Sequence, residues 1–285
     1  MKNILNSPVL LTLLFSIFLF GISTSQNTKK NHLEKNNLNG NVKTLTVTGY
    51  DAIMKFGEAT KESQTYRYYY SFNNKGYTIE FNRHDSDGSL EYREKYKYDD
   101  KDNLIETNKY NSDGSLVSKY TRKYDDKGNQ IEFNNYNSDG SLDYKFKSKY
   151  DEKDNNIEAN NYNSDGSLNY KVKNKYDDKG NKIEKNSYDS DGSLKKYKYT
   201  YKYDDKDNKI ELNDYYDGSI NFKEKYKYDD KGNRVELNKY SSDGSLKYTE
   251  IYKYEFDEFS NWTKQTTYDE KGNVKEITER VIEYY

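Results

Sequence analysis

YDDKGNQIEFNNYNSDGSLDYKFKSKY, Tyr124 to Tyr150, decides the fold. The stretch opens on a turn, Asp125-Asp126-Lys127-Gly128-Asn129, runs on to Asn137, turns again at Ser138-Asp139-Gly140-Ser141 and leaves through Leu142 to Tyr150. In the last run Leu142, Tyr144, Phe146, Ser148 and Tyr150 alternate with Asp143, Lys145, Lys147 and Lys149. A period of two puts one set on each face of a strand, whereas a helix would scatter both sets around its surface. The same rhythm holds for Leu168, Tyr170, Val172, Asn174 and Tyr176, and for Ile220, Phe222, Glu224, Tyr226 and Tyr228. Asp-Gly supplies the positive φ angles that tight hairpin turns demand, so the unit reads as strand, turn, strand, turn.

Working outward, the unit repeats. Asp-Gly recurs every 26 residues from Asp87-Gly88 to Asp243-Gly244, and the turn-opening aromatic recurs at Phe72, Tyr98, Tyr124, Tyr150, Tyr176, Tyr203, Tyr228 and Tyr254. One residue is inserted before Tyr203 and one lost after it, which predicts a β-bulge near Lys195 or Lys196. The other turn carries Gly76, Asp102, Gly128, Asp154, Gly180, Asp207 and Gly232 in strict alternation, a sign of a 52-residue duplication. We therefore divide the chain into a signal peptide (1–25), a polar linker (26–40), an N-terminal cap (41–70), seven hairpin repeats (71–254) and C-terminal cap strands (255–285). The predicted fold is all-β, a repetitive antiparallel hairpin meander of about sixteen strands in an elongated or coiling sheet, with a propeller as runner-up.

Two columns run side by side through the second strand of each unit. Ile79, Ile105, Ile131, Ile157, Ile183, Ile210 and Val235 are expected on the Leu/Tyr face; Glu80, Glu106, Glu132, Glu158, Glu184, Glu211 and Glu236 are expected on the Lys face. The Glu column would pair across strands with Lys97, Lys123, Lys149, Lys175, Lys202, Lys227 and Lys253. A third column, Tyr110, Tyr136, Tyr162, Tyr188, Tyr215 and Tyr240, falls on the charged face by simple alternation. Either tyrosine occupies both faces or each unit contains a bulge.

The N-terminus has a basic start at Lys2, an apolar run from Val9 to Phe20 and small residues up to Ser25, which is the layout of an export signal and too short for a comfortable membrane span. The formal net charge is −2, there is no cysteine, and the single proline is Pro8. Near-neutral charge gives no steering toward nucleic acid. No disulfides or lipid-bearing cysteine are expected, and no membrane span is expected beyond residue 25. Aliphatic residues are sparse, but 34 tyrosines offer rings that can be buried with a wet hydroxyl and that favour strands.

Catalytic chemistry has little to draw on. His32 and His84 are the only histidines, and neither has a recurring second ligand or nucleophile beside it. We expect no catalytic residue, no metal and no cofactor. The acidic DSDGSL and YDDKGN runs are read as hairpin turns rather than calcium loops, because Gly follows the last Asp directly. The tyrosines leave two readings open: the core of a sheet short of aliphatics, which we favour, or a stacking surface for sugars. The candidate ligand-binding residues for the second are Tyr92, Tyr144, Tyr170, Tyr226 and Tyr248.

The pattern Tyr-Asp-x-x-Gly-Asn, as in Tyr124 to Asn129, resembles the YD repeats of Rhs-type secreted and surface proteins over about residues 66–285. The closing FDEFSNWTKQ (Phe256 to Gln265) and the opening Val42 to Lys61, with its KFGE, resemble end caps of exported YD-type proteins common in Bacteroidota. The hairpin rhythm is also similar to MORN-type repeats. The resemblance implies a coiling strip of hairpins; without a proline-bearing core motif, toxin encapsulation is not expected. On these grounds we expect a non-enzymatic module, exported to the periplasm, cell surface or medium, that binds envelope glycan or a surface protein. The alternative is an immunity-type or structural protein that sequesters a co-exported partner.

Overall fold

The computed structural model describes residues 31–285; the expected signal peptide and most of the linker lie outside them. A short helix, α1 (His32–Lys35), precedes eighteen strands. These are β1 (Val42–Lys55), β2 (Glu58–Phe72), β3 (Thr78–His84), β4 (Leu90–Tyr98), β5 (Leu104–Asn111), β6 (Leu116–Tyr124), β7 (Gln130–Asn137), β8 (Leu142–Tyr150) and β9 (Asn156–Asn163). The second half holds β10 (Leu168–Tyr176), β11 (Lys182–Asp189), β12 (Leu194–Tyr203), β13 (Lys209–Tyr216), β14 (Ser219–Tyr228), β15 (Arg234–Ser241), β16 (Leu246–Phe256), β17 (Trp262–Tyr268) and β18 (Val274–Tyr284).

Every strand pairs antiparallel with the next, and β1 pairs with β18 from Val42↔Tyr284 to Asp51↔Glu276. The meander is thus closed. This corrects the elongated or coiling sheet, and the propeller with it: the segments expected to cap opposite ends of a strip lie side by side and remove both edges. Eighteen strands spaced about 4.8 Å apart have a perimeter of about 86 Å, so a circular section has a backbone radius of about 14 Å before strand tilt widens it.

Two register shifts per repeat correct the face assignment. Between β7 and β8, Asn135 faces Tyr144 but Tyr136 faces Leu142, so Asp143 is extra. Between β8 and β9, Lys149 faces Glu158 but Tyr150 faces Asn156, so Ile157 is extra. A shift of one residue moves every later side chain of the strand to the other face. The Leu and Ile columns accordingly join the Lys/Glu face, where Ile79, Ile131, Ile157 and Ile183 are 37–42% exposed. Both branches of the tyrosine question are realised: tyrosine stands on both faces, and each unit is bulged. At the insertion, Asn186 faces Lys198 and Tyr188 faces Leu194, which places the wide bulge across Lys195 to Tyr197.

The turns match the sequence reading. Asp139 Oδ1 accepts from Ser141 N (2.9 Å) and Ser141 Oγ (2.6 Å), and Asp125 Oδ1 accepts from Asn129 N (2.8 Å). The acidic side chains are thus committed to turn geometry. The Gly/Asp alternation acquires a cause: Asp154, at φ 63°, accepts Lys127 Nζ (3.1 Å) and Asn129 Nδ2 (2.9 Å) from the preceding Gly turn. Lys75 reaches Asp102 and Lys179 reaches Asp207 in the same way.

That rim also carries α1. Leu33 and Leu38 pack with Val42, Leu45 and Phe72, and the N–H groups of His32 and Leu33 donate to the Gly76 carbonyl. At the opposite rim the β1–β2 hairpin projects as a finger, since β1 leaves β18 after Asp51 and β2 meets β3 only from Arg67. Its two-residue turn, Phe56-Gly57, has φ 51° and 85°, and Phe56 is fully exposed.

Candidate ligand-binding inner wall

The two faces of the sheet differ in chemistry. Lys145, Lys147 and Lys149 alternate along β8 opposite Tyr162, Asn160 and Glu158. Lys149 Nζ lies 3.0 Å from Glu158, and the equivalent pairs Lys123–Glu132, Lys175–Glu184, Lys202–Glu211 and Lys227–Glu236 span 2.8–3.0 Å. Their lysine side chains are 66–69% exposed, so this is the outer face. Lysines on a lipid-facing strand cost about 2–4 kcal/mol each near mid-bilayer. Three such lysines alternate along β8, so this face has no continuous apolar band there.

The inner face is aromatic. Rings run in contact across β6, β7, β8 and β10: Tyr120–Phe133 at 5.6 Å, Phe133–Tyr144 at 6.1 Å, Tyr144–Phe146 at 5.7 Å and Phe146–Tyr170 at 6.0 Å between centroids. A second run links Tyr66, Tyr68, Phe81 and Tyr92 at 4.9–5.8 Å. A third group holds Tyr226, Leu237 and Tyr252, with Tyr228, Tyr248 and Tyr254 packed against it. All five candidate residues lie on this inner face, divided among three groups rather than aligned in one row. Tyr144 and Tyr170 share the first platform; Tyr92 belongs to the second, and Tyr226 and Tyr248 to the third.

Burial fixes their chemistry. It pushes the Tyr92 and Tyr144 phenols up to about 12 and raises Tyr170, Tyr226 and Tyr248, so each keeps its proton. Charged groups interrupt the wall. Arg122 lies 5.3 Å from the Phe133 ring and donates to Thr107 Oγ1 at 3.0 Å. Glu276 is raised by burial and accepts from the Tyr66 hydroxyl at 3.1 Å. Arg280 lies 3.5 Å from the Trp262 ring centroid, and its Nε and Nη1 have no hydrogen-bond partner.

Phe133 and Phe81 were not among the sequence candidates, because their column also holds Thr107, Ala159 and Lys185 and so carries no aromatic signal. His32 is structural: its Nδ1 accepts Thr78 N at 3.0 Å, and its ring packs edge-on against Tyr77 and Tyr98. Among the described residues no three His, Cys, Asp or Glu side chains gather as a metal site.

No family model and no curated protein matches the chain. Solved structures similar to it include a porin-like protein from Bacteroides uniformis, at 10% identity and TM-score 0.46, covering 85% of this chain and 98% of that one. A porin-like protein from Bacteroides vulgatus is similar at 12% identity and TM-score 0.34, covering 86% and 98%. The Tc holotoxin pore of Photorhabdus luminescens matches at 13% identity and TM-score 0.23, covering 79% of this chain and 12% of that one. The expected membership among YD/RHS repeat proteins, with MORN as second choice, is corrected here. The strip those repeats imply is replaced by a closed sheet, and no family model of either repeat matches the chain.

Proposed function

We propose that this protein is a non-enzymatic, exported binding module that holds a glycan against the inner wall of its barrel. The observation that carries the reading is the run of half-buried rings Tyr120, Tyr144, Phe146 and Tyr170, knit together by the buried Phe133 on a concave face. Flat rings stack on the apolar faces of sugar rings, and protonated phenols and buried asparagines such as Asn135 and Asn161 supply hydrogen bonds to hydroxyls. The Lys/Glu outer face supports a barrel that stands in water rather than lipid. The layout of residues 1–25 supports delivery to the periplasm, cell surface or medium.

Co-sedimentation of the purified protein with isolated insoluble cell-envelope polysaccharide tests this. Saturable pelleting is expected, lost in Tyr144→Ala/Tyr170→Ala and kept in the outer-face pair Tyr136→Ala/Tyr162→Ala, with far-UV circular dichroism confirming strand content in both. Absence of pelleting at high protein concentration sinks the glycan reading and turns the search to protein partners.

A further inference from the structure

Aligned by structure, the residues that open the second strand of each hairpin form an inner ring: Thr78, Leu104, Gln130, Asn156, Lys182, Lys209 and Arg234. Each carbonyl in this ring accepts a tyrosine hydroxyl from the next hairpin, as in Tyr176 to Asn156 (2.7 Å) and Tyr228 to Lys209 (2.8 Å). The first four side chains are uncharged and the last three are basic. Trp262 opens β17 in the same place and carries Arg280 over its ring. Lys182, Lys209, Arg234 and Arg280 thus form an arc on β11, β13, β15 and the β17–β18 pair, with Lys185 one turn of the pleat further in.

These cations differ from the outer ones. Five of the seven outer lysines of the Glu column, Lys123, Lys149, Lys175, Lys202 and Lys227, have a carboxylate within 3.0 Å, whereas Lys182, Lys185, Lys209, Arg234 and Arg280 make no ion pair among the described residues. They face rings instead: Lys182 over Tyr176 at 5.9 Å, Lys185 over Tyr199 at 5.8 Å, Lys209 over Tyr226 at 5.3 Å and Arg234 over Tyr252 at 4.7 Å. Burial lowers Lys182 to about 8, with Lys185 adding repulsion, and lowers Arg280 to about 10. Glu224 acts on Lys209 through space but is already held by Lys239 and the Tyr226 hydroxyl, so the arc keeps more half-buried positive charge than its neighbours neutralise, as a site for an anion would.

We infer that this arc binds an acidic polysaccharide carrying one anionic group per disaccharide. The inference rests on the inner-wall reading above and names the glycan class. Alternate strands are about 10 Å apart, so Lys182, Lys209 and Arg234 repeat at a distance comparable to a disaccharide. A nucleic-acid strand presents a charge every ~3.4 Å along its axis and does not match that spacing. The interleaved Tyr176, Tyr203, Tyr228 and Tyr254 leave one aromatic ring for the sugar between successive charges.

The test is titration calorimetry of the full protein with three probes: hyaluronan, which has one carboxylate per disaccharide, a neutral β-glucan of similar length, and a thirty-residue oligothymidylate. Hyaluronan is expected to bind at least tenfold more tightly than the glucan, with affinity falling as salt rises. Lys182→Met/Lys209→Met should remove that advantage and leave glucan binding intact, while the outer-face variant Lys149→Met changes neither. Glucan binding without a hyaluronan advantage, or an advantage that survives the double variant, overturns the arc and spares the inner-wall reading. Tighter binding of the oligonucleotide overturns the acidic-glycan assignment, and binding of no probe overturns both.

Discussion

The Tyr203 hydroxyl donates to the Lys182 carbonyl at 2.9 Å across 21 residues, where its equivalents Tyr150 to Gln130 and Tyr254 to Arg234 span 20. Tyr228 reaches Lys209 across 19. The sequence slips by one residue before Tyr203 and recovers after it, yet the bond keeps its place in the ring. Slack is taken up by the wide bulge after Leu194 and by the shortened Asp217-Gly218 turn, whose φ angles of 51° and 78° are those of a two-residue hairpin. Tyr150→Phe, which leaves the Gln130 carbonyl without this donor, should cost about 1 kcal/mol and lower Tm by about 2–4 °C. Thermal unfolding followed by near-ultraviolet circular dichroism reads it; an unchanged Tm would show that water replaces the phenol without loss.

Phe56 occupies the left-handed region at a fully exposed hairpin tip. A bulky side chain there costs roughly 1–2 kcal/mol, whereas Asn-Gly suits this turn. Phe56→Asn should therefore raise Tm by a few degrees, about 2–4 °C per kcal/mol. A lower Tm would mean that the ring makes a contact in solution.

Much of this was legible beforehand. Strand type, turn positions and the Glu/Lys pairs came from period-two alternation and Asp-Gly spacing, because both are local. The faces of Leu142 and Ile157 were not, because the bulges that flip them insert no residue into the repeat and so leave no mark on its period. Closure was illegible for a related reason: nothing in Val42 to Asp51 announces that it pairs with Glu276 to Tyr284 more than 220 residues away. The candidate tyrosines were found as a type of residue, but their grouping into three platforms depends on barrel curvature.

Acid should unfold the barrel through its outer face. Lys175 and Lys198 pull the Glu184 carboxyl down to about 2, and lysine partners also lower Glu106 and Glu132. A carboxylate whose folded value is depressed contributes stability that is complete above its unfolded value of about 4.3 and is lost as pH falls toward the folded value. Tm should hold on this account above pH 5 and fall steadily between about pH 4.3 and 2. Constant Tm down to pH 3 would show that the pairs are worth nothing in water.

Lys182 has the opposite sign. Its folded value, lowered to about 8 by burial and then by Lys185, lies below the unfolded value of about 10.4, so the folded chain binds fewer protons in that window. The penalty is complete below pH 8 and fades as pH rises through the window. Lys182→Met should therefore raise Tm at pH 7 and change it little at pH 10.5. A variant less stable than the parent at pH 7 would show that the ammonium is held by a favourable contact and that the arc does not want for an anion.

The seam between β1 and β18 closes the barrel. Ile277 is 1% exposed, pairs with Tyr50 on β1 and Thr266 on β17, and packs with Ala52 and Val274. Truncating a buried isoleucine costs about 2–5 kcal/mol, and here the loss falls on the two strands whose pairing spans the whole chain. In the parent protein the amides of β1 and β18 should exchange hydrogen as slowly as those of β8, since a closed sheet has no edge strand. In Ile277→Ala protection should fall first in β1 and β18 while β6 to β10 keep theirs, because each repeat hairpin is held by its own neighbours. Fast exchange along one side of β1 and β18 in the parent would instead describe an open strip, and with it the concave wall and both binding inferences would go.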